Sequence, residues 1–199
     1  MHRPTPRIEI VKRENKEEKL VDFTRECLAA SPDAAPAVTV LARSLSSPVV
    51  RALAKVLDET SAAPTALRVI LVQTDGLDTA DAPLAGHATS YRWARQARLA
   101  DAHEQIVIGT STWIGDCMRR DPSKRDAFEC YSANCAQSAR WAAMAFERLW
   151  SHAEPLPAGT AAVRSDAGNT AAPIAIDPVA GSLPTAEAGE PAPLASTRH

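Results

Sequence analysis

An α/β domain with a small mixed sheet covered by helices is the fold class this sequence predicts. Three observations carry it. An amphipathic segment over Pro48–Thr60 is followed at once by a short β-branched run, Leu67–Val72. Two more short apolar runs, Ile106–Ile108 and Thr112–Ile114, bracket Gly109-Thr110-Ser111. A long alanine-rich segment with apolar residues at helical spacing closes the pattern. Helices and strands that interleave in this way pack as layers around one core.

Each element has a local reason. Residues 1–20 are polar, with Arg3, Arg7, Lys12, Arg13, Lys16 and Lys19 set against Glu9, Glu14, Glu17 and Glu18. They read as a flexible charged segment, or as a short edge element around Ile8, Ile10 and Val11. Val38–Leu45 reads as a helix or a short buried segment. Ser47-Pro48 is a helix start, a serine cap with proline in the first helical position. Val49, Val50, Leu53, Val56 and Leu57 then share one face, and Arg51, Lys55, Asp58 and Glu59 take the wet side.

Leu67, Val69, Ile70, Leu71 and Val72 form a nearly continuous apolar run, as a strand buried on both faces requires. Gln73-Thr74-Asp75-Gly76 ends it as a turn. Leu77–His87 is a polar loop, with His87 read as a surface residue. Tyr91–Ala102 reads as a helix capped by Thr89 or Ser90, packing Trp93, Ala94 and Ala97 inward. Ile106–Ile108 and Thr112–Ile114 read as a hairpin, since Gly109 tolerates positive φ. A basic loop around Asp121-Pro122 follows. Phe128 and Tyr131 lead into a helix from about Ser132 to Trp150. Ala136, Ala139, Ala143, Phe146 and Trp150 form its sheet-facing stripe.

One domain over residues 21–150 fits about 130 residues, enough for a single modest core. The 151–199 region reads as a disordered tail. It is built of Ala, Pro, Gly, Ser and Thr, with seven of the chain's 15 prolines after residue 154. So little apolar surface cannot offset the entropy of ordering the backbone. Ala175-Ile176-Asp177-Pro178-Val179 is the one stretch of it that reads as a short docking segment.

The formal net charge is −2, which gives no global case for nucleic acid. No apolar run is long enough to cross a bilayer, and no apolar secretory core follows the first basic residues. The expected location is cytoplasmic. Cys27, Cys117, Cys130 and Cys135 then read as thiols, because their spacing makes no paired zinc knuckle. No metal or cofactor is expected. No P-loop, dinucleotide fingerprint, HExxH or GxSxG is present.

The chemistry-bearing candidates lie around the hairpin. His103 stands at its entry, and Asp116 at its exit. The helix over Pro48–Thr60, the strand over Leu67–Thr74, the hairpin over His103–Asp116 and the closing Phe146-Glu147-Arg148-Leu149-Trp150 together resemble one half of a phospholipase D-like domain, across about residues 45–150. In that superfamily a histidine-lysine-aspartate motif sits on the hairpin, followed by a Gly-Ser-x-Asn turn. Here His103 takes the histidine position. Gln105 stands for the lysine and Thr110 for the aspartate. Gly115 keeps the glycine, while Asp116 replaces the serine and Met118 the asparagine. The resemblance is therefore to a degenerate, non-catalytic half.

Physical chemistry points the same way. Phosphoryl transfer through histidine needs cations on the equatorial oxygens, and glutamine offers none. Glu104, the neighbouring acid, faces away from His103 on a strand. Were the chain an enzyme, His103 would be the catalytic residue of a rebuilt phosphodiesterase-like site.

Halves of this superfamily work in pairs, so the resemblance implies a homodimer. An extra apolar face on the last helix, at Trp141, faces a partner and fits a second copy of the chain, and Tyr131 is a second interface candidate. The function expected is a non-catalytic regulatory or adaptor protein that binds itself and an unidentified protein partner. The alternative is a nucleic-acid-binding regulator. Its phosphate contacts would be Arg92, Arg95 and Arg98, spaced three apart on the expected helix, with Arg119, Arg120, Lys124 and Arg125 beside them.

Overall fold

In the computed structural model, residues 6–30, 35–60, 63–74 and 82–156 are described. They build a mixed eight-stranded sheet with three helices. In chain order these are β1 (Arg7–Val11), α1 (Lys16–Ala29), β2 (Ala37–Ala42), α2 (Pro48–Thr60), β3 (Ala66–Leu71) and β4 (Thr89–Trp93). Then follow β5 (His103–Ile108), β6 (Ser111–Cys117), β7 (Ala127–Ser132), α3 (Ala136–His152) and β8 (Glu154–Pro155). The sheet order is β1-β7-β6-β5-β2-β3-β4-β8. β2, β3 and β4 run parallel, and the remaining pairings are antiparallel.

The two faces are covered unequally. α1 and α2 lie on one face, where Leu20, Val21, Phe23, Val50, Leu53 and Leu57 meet Val38, Val40, Val69, Ile106 and Trp113. Phe23 meets Trp113 edge-on, and Trp113 stacks on Tyr131 with centroids 4.7 Å apart. α3 lies on the other face, where Phe146 packs with Leu41, Ile70, Ala94 and Met118. Ala139 and Ala142 let the start of α3 approach Val107 closely. β2 is buried on both faces beyond its first residue, which is why its sequence is apolar without alternation.

The helix predicted over 48–60 forms there, but its cap differs. The carbonyl of Ser47 accepts the first helical bond, from Arg51 N–H at 3.1 Å. The Ser47 hydroxyl turns away, to accept from Ser44 N–H at 3.1 Å.

Two of the expectations left alternatives that the structure decides, and two need correction. Val38–Leu45 lies largely in a strand, β2, since it pairs with β3 and β5 at once. Tyr91–Ala102 is not a helix. Its first residues are β4 and Ala97–Asp101 is a short 3-10 turn. Buried Tyr91 belongs to the α1/α2 core, and parallel pairing with β3 overrides the alanine-and-arginine helix pattern. The stretch before the last helix holds an unexpected strand, β7, and α3 begins only at Ala136. Residues 7–20 form β1 and the start of α1, so of the two readings offered for that segment the edge element is the one built.

At the other end, α3 continues to His152, and β8 pairs with β4. The expected tail therefore begins no earlier than Leu156, which packs against the core. The rest of that tail, with Ala175–Val179, lies outside the described residues, as does much of the Leu77–His87 loop. Described His87 sits beside Asp58, Nε2 to Oδ1 3.0 Å. No helix among the described residues is long and apolar enough to cross a membrane.

Candidate functional site

The register between β5 and β6 slips at one place. His103 pairs with Cys117, but Gln105 pairs with Ile114. This bulge re-aims the side chains at the entry of β5, as bulges do. His103 is exposed, with Nδ1 2.8 Å from the Gly115 carbonyl oxygen. That carbonyl is an acceptor, so Nδ1 carries the proton. Glu104, as its place on the strand requires, points the other way and is buried.

Glu104 enters a compact polar cluster. Its Oε1 accepts from Arg43 N–H at 2.9 Å, and the Ser47 hydroxyl also bonds it. Burial pushes the Glu104 carboxyl above its ordinary value, against the pull of these bonds and of Lys16. Glu129 of β7 is buried beside it. Its Oε1 lies 2.7 Å from Lys16 Nζ, and its Oε2 accepts from Trp113 Nε1–H at 2.5 Å. Lys16, from the first turn of α1, is held at the same time by the Pro122 carbonyl at 2.8 Å.

Lys16, Glu104, Trp113 and Glu129 line a narrow crevice of about 10 Å³, roughly room for one water, together with Leu20, Val49, Gln105 and Gly115. Gly115 gives it room: a Cβ there would stand 3.7 Å from the Glu104 Cβ and 3.9 Å from Glu129 Oε1.

Glu104 and Glu129 both line the crevice, and among the described residues Lys16 is its one cation. Its charge is already matched by Glu129. The crevice is water-sized and its cation is paired, so it offers a phosphodiester neither room nor a free positive charge. The other positions of the hairpin motif are dispersed. Thr110 donates to Asn134 Oδ1 at 3.0 Å at the far end of β5. Asp116 accepts from Cys117 N–H at 2.7 Å. Met118 is buried in the α3-side core. Among the described residues, no three His, Cys, Asp or Glu side chains are grouped to hold a metal.

The arginine ribbon does not form as drawn, because its helix is absent. Arg92 donates to the Trp150 carbonyl at 2.5 Å and lies 4.6 Å from the Trp150 ring centroid. Arg95 lies 4.3 Å from the Trp93 centroid and pairs with Glu154 at 3.2 Å. Arg119 grips both oxygens of Asp101, at 2.7 and 2.9 Å. Lys124 pairs with Asp121 at 3.1 Å. Arg98, Arg120 and Arg125 are exposed and pair with no acid among the described residues.

The two interface candidates part company. Tyr131 is half-buried, packing its ring on Trp113 and Phe23 against the core and donating its hydroxyl to Glu9 at 3.1 Å. Trp141 is 65% exposed and Met144 51% exposed on the side of α3 away from Ala139, Ala142 and Phe146. Sequence reasoning missed Lys16, Ser47 and Glu129 as partners of Glu104. The available signal was Glu129 between Phe128 and Cys130 in a strand-like run, an acid that pairing would turn inward.

The arrangement has known counterparts. Nuc from Salmonella typhimurium, a phospholipase D family member, superposes with a TM-score of 0.53 over 76% of this chain and 99% of its own, at 10% identity. NucT from Helicobacter pylori superposes with a TM-score of 0.52 over 77% and 99%, at 7% identity. No family model matches the sequence, and no curated protein does. This chain has a phospholipase D-like fold. More narrowly, its eight-stranded sheet and three helices match a single half domain of that architecture.

Proposed function

We propose that this chain is a non-catalytic regulatory or adaptor protein that acts through protein contacts as a homodimer. The outward face of α3 is the surface it offers to a second, different protein. The observation that carries the reading is the exposure of Trp141 and Met144 on that face, since large apolar side chains grouped on a surface mark interaction sites. The crevice supports it from the other side. It offers no free cation, since Lys16 is paired with Glu129, and on the hairpin itself Gln105 stands where the resemblance puts a lysine.

Two measurements test the reading. Sedimentation equilibrium of the full chain at micromolar concentration is expected to give about twice its 21.2 kDa. A mass of one chain overturns the homodimer. Turnover of bis(p-nitrophenyl) phosphate is expected to match buffer. Turnover that disappears in His103→Ala would overturn the non-catalytic reading and restore a hydrolase built on that histidine.

A further inference from the structure

β1 is an edge strand with an unusual surface. It pairs with β7 on one side, and no other strand among the described residues pairs with it. Its five residues contain no proline and no bulge, and its charges are Arg7 and Glu9, one of each sign. Ile8 is 72% exposed, Ile10 is 61% exposed, and Phe128, paired with Ile10 in the ladder, is 71% exposed. Val11 belongs to the α1/α2 core and Glu129 bonds Lys16 of α1. By alternation, Ile8, Ile10 and Phe128 lie on the opposite face, the one α3 shares. An apolar patch thus adjoins a row of open backbone donors and acceptors.

We propose that this edge is the seam between the two copies of the homodimer, formed by antiparallel pairing of β1 with β1 about a two-fold axis at Ile8. The proposal rests on the homodimer reading and names its seam. Charge complementarity selects both the occupant and the register. With the axis at Ile8, Arg7 of each copy stands opposite Glu9 of the other, twice, and Ile8 meets Ile8. With the axis one residue on, Glu9 would stand against Glu9, and like charges directly opposite are destabilising. Glu9 already accepts from Lys19 and from the Tyr131 hydroxyl, and a carboxylate has acceptor sites for a further donor. The same short strand therefore supplies both halves of its complement, as a closed two-fold contact requires. Ile8, Ile10 and Phe128 of both copies then form one continuous apolar strip.

The test uses the full chain and reads mass and register separately. Wild type is expected at two chains. Ile8→Lys combined with Ile10→Lys changes only exposed side chains, so the chain should stay folded by circular dichroism while the dissociation constant rises at least tenfold. Trp141→Glu should leave the mass at two chains. Under mild oxidation, Ile8→Cys should cross-link copies faster than wild type or Ile10→Cys, because only position 8 meets itself across the axis, within reach of a disulfide.

A two-chain mass unaffected by the lysine variant, or lost in Trp141→Glu, overturns the seam and leaves the homodimer standing. Ile8→Cys that cross-links no faster than Ile10→Cys overturns the register. A one-chain wild type fails the homodimer reading itself.

Discussion

Lys16 Nζ lies 2.7 Å from Glu129 Oε1 with both side chains buried, so the first turn of α1 is tied to β7 by an ion pair inside the protein. Removing one partner leaves the other charge buried and uncompensated, beside a second carboxyl at Glu104. Lys16→Met is expected to cost about 3–5 kcal/mol in urea unfolding. Lys16→Met with Glu129→Leu should recover most of that. A double variant as unstable as the single one would shift the role of Lys16 to its bond with the Pro122 carbonyl.

Glu104 gives a pH-dependent prediction. Its folded-state pKa is raised, chiefly by burial. The folded chain then binds that proton more tightly than the unfolded chain does. The stability this confers is complete below the ordinary value and is lost as pH rises through the folded one. Glu104→Gln keeps an acceptor for Arg43 N–H and cannot ionise. The variant should be more stable than wild type at neutral pH, and the gap should close as the pH falls towards 4.5, the ordinary value. Thermal melts across this range check it, and a gap that widens at acid pH would contradict the assignment.

His103 is exposed and makes one bond to a backbone carbonyl. His103→Ala should cost about 1 kcal/mol or less by chemical denaturation. A loss several times larger would mean that the ring holds the β5 bulge in place.

The arginines separate into structural and free. Arg92→Ala removes a bond to the Trp150 carbonyl and a cation over its ring. It should destabilise the chain by roughly 1–3 kcal/mol. Arg98→Ala should stay within about 0.5 kcal/mol of wild type. Equal effects of the two in thermal melts would refute the distinction.

What the sequence displayed most clearly were elements that satisfy a local rule and a global one together. Pro48–Thr60 has a start signal and an apolar stripe, and it is a helix with those bounds. Ile106–Ile108 and Thr112–Ile114 turn at Gly109, whose φ of 55° is the conformation glycine favours. Tyr91–Ala102 misled because arginines three apart imitate a helix face, while β3 supplied a ladder for Thr89–Trp93 that no local pattern announces. The polar crevice was hidden for a different reason. Lys16, Glu104 and Glu129 are far apart in sequence, and only the pairing of β5, β6 and β7 under α1 joins them. Lys16 in a run of mixed charges resembles any solvated residue until its partner is known.

Both margins of the sheet are made from the extremities of the described residues, β1 at one and β8 at the other. Arg7 and Leu156 thus lie at opposite margins, separated by seven inter-strand steps, or about 33 Å at ordinary strand spacing. A reporter fused behind Leu156 and one placed ahead of Arg7 occupy opposite rims. Each rim can be labelled or tethered without burdening the other.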